Sequence, residues 1–127
     1  MATFGMEIEA AAPGRVALVM AADPRLTQQH GFLHGGVVTA GLDTACGFAA
    51  LSLMPLEAGV LTVELKTNFL APARGARFRF VAEVVKPGRT LTFTEARAYG
   101  VAAEGERLIA TMQATLMSVL GRDDVKS

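Results

Sequence analysis

Between Val37 and about Met54 the chain carries a single charged residue, Asp43, in a run of apolar and small side chains. That run is too long and too continuous for one strand. Ala40, Ala45, Ala49 and Ala50, with Leu42, Leu51 and Leu53, favour a helix of four or more turns. Gly41 and Gly47 weaken its propensity but let another backbone approach closely. Pro55 supplies the stop, so the pattern predicts one central helix, buried on most sides.

After it the period changes. Leu61, Val63, Leu65, Thr67 and Phe69 alternate with Thr62, Glu64, Lys66 and Asn68, the mark of a strand with one apolar and one polar face. Pro72 and Gly75 punctuate a turn, and Phe78, Phe80, Ala82 and Val84 repeat the alternation. Lys86-Pro87-Gly88-Arg89 signals a hairpin turn, and residues 90–99 and 107–119 read as two further strands. Before the helix, Gly14 to Met20 reads as a strand, Asp23-Pro24 breaks it, and residues 23–34 form a polar loop. Residues 1–12 fit a short helix or an irregular lead-in equally well. Strand, loop, long helix, then four strands in a meander predict an α+β arrangement: a five-stranded antiparallel sheet with one helix buried against a face.

The 127 residues suit one domain, with a core over about 14–119, a lead-in over 1–13 and a polar tail over 120–127. Hydrophobic residues make up 51% of the chain, which is high for a small monomer and favours an oligomer. A five-stranded sheet has two edges, and pairing one across a two-fold axis would hide backbone groups and absorb that excess. Twelve Lys and Arg balance twelve Asp and Glu, without the footprint of a nucleic-acid or anionic-membrane binder. One cysteine and two histidines make neither an intrachain disulfide nor a protein-only zinc cage. The first residues lack a secretory pattern, and no run of about 20 uncharged apolar residues occurs. The expectation is a soluble cytoplasmic protein.

Asp43 is the residue that points to chemistry. An ionised carboxylate inside a buried helix costs several kcal/mol unless donors or a countercharge compensate it. Its surroundings either tune it for proton transfer or leave it poorly solvated and nucleophilic; the plainer alternative is a carboxylate at the helix edge that holds a turn. His34-Gly35-Gly36 stands just before the helix. Adjacent glycines allow close backbone approach, and the first N–H groups of a helix are unpaired, a suitable cradle for a carbonyl or an oxyanion. The same pair can also simply shape a turn. His30 reads as an exposed loop residue and Cys46 as a core cysteine. No phosphate-binding or dinucleotide fingerprint is present.

The run Gln28-Gln29-His30-Gly31-Phe32-Leu33-His34-Gly35-Gly36, then Leu42-Asp43, closely resembles hot-dog acyl-CoA thioesterases of the phenylacetate-pathway type. The resemblance continues through Thr62–Phe69, Pro72-Ala73-Arg74-Gly75 and Gly88-Arg89, and covers roughly residues 14–119. It implies a curved antiparallel sheet of five to six strands around one central helix. It also implies hydrolysis of a medium-chain, aryl or arylacetyl-CoA thioester, with Asp43 as nucleophile or general base. By position, Gly35 supplies the N–H that polarises the thioester carbonyl, Gln28 orients water or thioester, His34 flanks that carbonyl, and Thr62 assists attack. Gly36, Asn68 and Phe69 fall beside the substrate. Arg74, Arg89 and Lys66 are weak candidates for the phosphates of coenzyme A, each read first as an ordinary surface cation.

The resemblance further implies a homodimer with shared active sites, paired into a dimer of dimers. It calls for no cofactor, because coenzyme A is part of the substrate, and for no metal. Two other readings remain at this level: a hydratase or dehydratase on the same fold, which needs a carboxylate–His pair, and a non-catalytic binder of acyl-CoA or aromatic ligands. Phe69, Phe78 and Phe80 are explained first as core.

Overall fold

The computed structural model describes residues 5–27 and 32–120. Six strands form one antiparallel sheet: β1 (Glu7–Ala12), β2 (Arg15–Ala21), β3 (Gly59–Phe69), β4 (Arg77–Lys86), β5 (Leu91–Ala102) and β6 (Gly105–Val119). Their order across the sheet is β1-β2-β4-β5-β6-β3. The helix α1 (Gly35–Leu51) packs against one face, touching every strand from β2 to β6. This is the α+β hot-dog architecture. No helix among the described residues is long and apolar enough to cross a membrane.

Two features differ from the sequence expectation. Residues 7–12 are a strand, which makes the sheet six-stranded. β1 folds back on β2 through Ala12-Pro13-Gly14-Arg15, with Gly14 at φ +79°, and Pro-Gly at the centre is what a type II turn requires. Secondly, β3 does not neighbour β4; it pairs with β6 at the sheet edge, so only β4-β5-β6 is a meander. The connection over residues 70–76 is too long for a tight hairpin. It instead runs across the ends of β6 and β5, where Leu70 N–H donates to Ile109 O (2.8 Å) and Ala76 N–H to Val101 O (2.9 Å).

α1 has two distinct faces. Val37, Val38, Gly41, Leu42, Ala45, Cys46, Ala49 and Ala50 are buried at helical spacing against the sheet. Phe78 and Phe80 join this core, with Leu18, Met20, Ile109, Met112 and Leu116. The opposite stripe, Thr39, Ala40, Asp43, Thr44, Gly47, Phe48 and Leu51, is only half-buried. The helix is therefore not buried on most sides, as its composition suggested, because the sheet covers one side alone.

The two sheet edges are unlike. β1 is short, fully exposed, bulged between Ile8 and Ala10, and carries Glu7 and Glu9. Arg79 ties it in, donating from Nε to Glu9 (2.9 Å) and from Nη1 to Glu106 (2.6 Å). β3 is long and exposed, with Leu61, Val63, Leu65 and Phe69 in the open. Both edges carry charges and a bulge, which blunt pairing, but β3 adds a long row of exposed apolar side chains that favours covering it.

Candidate active site

The segment entering α1 is pinned by backbone bonds. Thr27 and Leu33 form an isolated antiparallel bridge, Leu33 N–H donates to Ala73 O (3.0 Å), and His34 N–H donates to Leu26 O (3.0 Å). Arg74, next to Ala73, lies over the Phe32 ring at 4.6 Å. Gln28 and His30 lie outside the described residues.

His34 is the N-cap, extended at φ −60°, ψ 139°, and its carbonyl accepts from Val37 N–H (3.0 Å) and Val38 N–H (3.1 Å). Its imidazole caps nothing and is exposed. That leaves the Gly35 and Gly36 N–H groups without an acceptor among the described residues. They are the positive end of the α1 dipole. The Phe69 ring sits against Gly35, where a Cβ would lie 3.3 Å from Cζ. Phe69 is 58% exposed, so unlike Phe78 and Phe80 it is a wall of the helix mouth rather than core.

Two turns further along α1, Asp43 accepts a hydrogen bond at Oδ1 from Thr62 Oγ1 (2.7 Å). Strict alternation in β3 would turn Thr62 away from the helix, with Glu64 and Lys66. The strand instead carries a bulge between Thr62 and Glu64. Thr62 pairs with Leu116, while Leu65, Thr67 and Phe69 pair with Ala114, Met112 and Ala110, so these four share the face toward α1. The extra residue, Val63, re-aims Thr62 at Asp43, a use of bulges common beside active sites. Beyond the bulge, Thr67 Oγ1 is buried without a partner. We expect Thr62→Val to keep the fold yet slow any reaction that depends on the Asp43 carboxylate at least about tenfold, because a bond to a charged group is worth about 1.5–3 kcal/mol. Stopped-time assays beside circular dichroism of the same samples check both parts.

Asp43 and Thr62 stand at one end of a cavity of about 200 Å³ whose other end is formed by Phe48, Leu51 and Val60. A larger cleft of about 540 Å³ beside residues 21–26 has no comparable chemistry, since its Asp23 carboxylate is taken up by Arg25 (2.7 Å). Asp43 is half-buried, so the desolvation inferred from a fully buried helix is not met within one chain. Cys46 is fully buried, and burial pushes its thiol up to about 11; it stays protonated at neutral pH and serves as core.

The remaining expected positions are spread out. Asn68 and Lys66 pair with Thr111 and Gln113 on the sheet face away from α1, and Asn68 Nδ2 donates to Thr111 Oγ1 (3.3 Å). Arg74 stands beside Gly100 near the end of β5, whereas Arg89 precedes the start of β5. At about 3.3 Å per strand residue they are roughly 30 Å apart, too far to share one phosphate group within a chain. Gly35 and Asp43 are eight residues apart on one helix, about 12 Å at 1.5 Å per residue. The free N–H groups and the carboxylate of one chain therefore cannot act on the same carbonyl.

The sequence profile of the thioesterase superfamily matches residues 30–108, more than half of the chain. The chain belongs to the thioesterase superfamily. A thioesterase family protein from Silicibacter pomeroyi superposes on it with a TM-score of 0.93, 62% identity, and coverage of 95% of this chain and 89% of that one. A thioesterase from Staphylococcus aureus is 26% identical, with a TM-score of 0.83 over 91% of this chain and 94% of that one. It is known in two variants, in which a glutamine and a glutamate, spaced as Gln28 and Asp43 are here, are each replaced by alanine. Human acyl-coenzyme A thioesterase 13 is 32% identical over 87 residues, 66% of this chain and 60% of that protein. The superfamily member described here likewise spans only 63% and 64% of the length of two archaeal relatives.

Proposed function

We propose that this chain hydrolyses acyl-CoA thioesters as a homodimer, with each active site built from the Gly35 end of one protomer and Asp43 of the other. The observation that carries this reading is the Thr62–Asp43 pair at the mouth of an apolar cavity, about 10–12 Å along the helix from the unpaired Gly36 and Gly35 N–H groups. Oxyanion stabilisation and a base must converge within hydrogen-bond reach of one carbonyl. A second copy related by a two-fold axis can bring them together. The exposed apolar edge of β3 and the half-buried stripe of α1 offer the surface for that contact.

In the proposed mechanism the Gly35 N–H donates a hydrogen bond to the thioester carbonyl oxygen, with Gln28 assisting, and His34 flanks it. Asp43 takes a proton from an attacking water, or adds to the carbonyl itself to give an anhydride that water then cleaves. Either route needs the carboxylate ionised and aimed, and Thr62 aims it. The negative charge on oxygen is held at the positive end of α1 while the thiolate of coenzyme A leaves. Thioesterase relatives supply the reaction class, and the human acyl-coenzyme A thioesterase supports coenzyme A as the thiol. The resemblance to the phenylacetate-pathway type puts arylacetyl groups beside medium-chain ones as candidate acyl parts.

The test is thiol release from short-, medium-, long-chain and arylacetyl-CoA thioesters by purified protein, with its mass in solution measured alongside. Turnover of at least one class by a dimer or larger assembly is the expected result. A monomer, or no thiol release across the panel, would overturn the reading.

A further inference from the structure

We propose that Gly47 sets how long an acyl group this chain accepts. The inference rests on the thioesterase reading and deepens it: the cavity beside Asp43 takes an unbranched chain of medium length laid along α1. Asp43, Gly47 and Leu51 recur at every fourth residue, on one face of the helix and about 6 Å apart along it. Among the described residues Asp43 is the only charged group lining the cavity, while Phe48, Leu51 and Val60 give it apolar walls beyond position 47.

Neither packing nor backbone demands glycine there. A Cβ at Gly47 would meet nothing nearer than Val60 Cγ1 at 4.0 Å, and its φ is not in the left-handed region. Gly41 is the contrast, since a Cβ there would lie 2.5 Å from the buried Phe80 ring. Glycine is among the poorest helix formers, so at position 47 it is locally unfavourable. What it provides is open space between the carboxylate and the apolar end wall. A side chain at 47 would stand across the path from Asp43 to Leu51 and shorten the cavity to its polar end.

The experiment compares wild type, Gly47→Ala and Gly47→Leu in two assays. One is calorimetric binding of non-hydrolysable S-alkyl-CoA thioethers from ethyl to octyl; the other is kcat/KM on the matching acyl-CoA esters. Gly47→Leu should weaken octyl binding and octanoyl turnover by about 10- to 200-fold, as expected for closing an apolar pocket, and leave ethyl and acetyl within a few-fold. Gly47→Ala should fall between, with an unchanged oligomer. Equal losses at every length, no loss, a changed oligomeric mass, or no thioether binding by wild type would overturn the proposal. Length-dependent binding that Gly47→Leu shortens, without hydrolysis by any form, would sink the thioesterase reading and leave the role of Gly47 standing.

Discussion

Asp43→Asn should lower kcat by about 10²–10⁴-fold, the usual contribution of a positioned general base. That is about 3–5 kcal/mol of transition-state stabilisation. The substitution is nearly isosteric, and the amide oxygen can still accept from Thr62 Oγ1, which now bonds the carboxylate at 2.7 Å. Position 43 is half-buried, so the neutral amide leaves no uncompensated group in the core. What it loses is the ability to take a proton or to attack a carbonyl. The expected result is therefore a folded assembly of unchanged mass, with a KM close to wild type and a rate near background. A variant that keeps more than a tenth of wild-type turnover would mean that Asp43 only shapes the site.

A large effect on stability is expected at Gly41. Helix propensity alone favours Gly41→Ala by about 1 kcal/mol. Packing opposes it, because the new methyl would lie 2.5, 2.6 and 2.8 Å from Cζ, Cε1 and Cε2 of Phe80. Phe80 is fully buried in the helix–sheet core, so its ring has no free volume to retreat into. Overpacking of this kind costs about 1–3 kcal/mol, and contacts this short belong at the upper end. Packing should win, for a net loss of about 2 kcal/mol in urea unfolding at fixed protomer concentration. Gly47→Ala makes no such contact and should be neutral or slightly stabilising. Opposite signs at two glycines of one helix separate packing from propensity. Phe80→Leu should recover part of the loss in the double variant, and a stabilised Gly41→Ala would refute the contact.

Much of this was legible in the chain because the two periods were clean. The apolar run over 37–54 could only be a helix, and α1 ends at Leu51, close to the Pro55 stop. The alternations after Leu61 and Phe78 gave strands β3 and β4 with nearly the observed bounds. β1 was obscured because Glu7, Glu9 and a string of alanines hide its pattern; the available signal was the Pro13-Gly14 turn that starts β2. Sheet order was misread because periodicity says nothing about which strands pair. The length of the 70–76 connection argued against a hairpin between β3 and β4.

At the site, His34-Gly35-Gly36 and Asp43 stood out in sequence, and α1 places them at its mouth and two turns in. Thr62 was marked by resemblance alone, because alternation assigned it to the polar face. A bulge is set by the mismatch between two strands, which one strand's pattern cannot display. Asn68 shows the converse, since the same alternation puts it on the face away from Asp43 despite its place in the motif.

The central claim is that Gly35 and Asp43 work across two protomers, and a purified mixed dimer tests it directly. One protomer would carry Asp43→Asn and the other Gly35→Pro. Proline suits the first position of a helix and removes the N–H, its Cβ meets only the exposed Phe69 ring (3.3 Å to Cζ), which has open space to shift into, and the extended His34 is already compatible with a following proline. Each parent assembly should be nearly inactive, the proline variant by about 10²–10³-fold for a lost oxyanion donor. In the mixed dimer one site keeps both groups, so about half of wild-type turnover should return. If the mixed dimer is as inactive as its parents, the catalytic groups lie within one chain and the shared-site account is wrong.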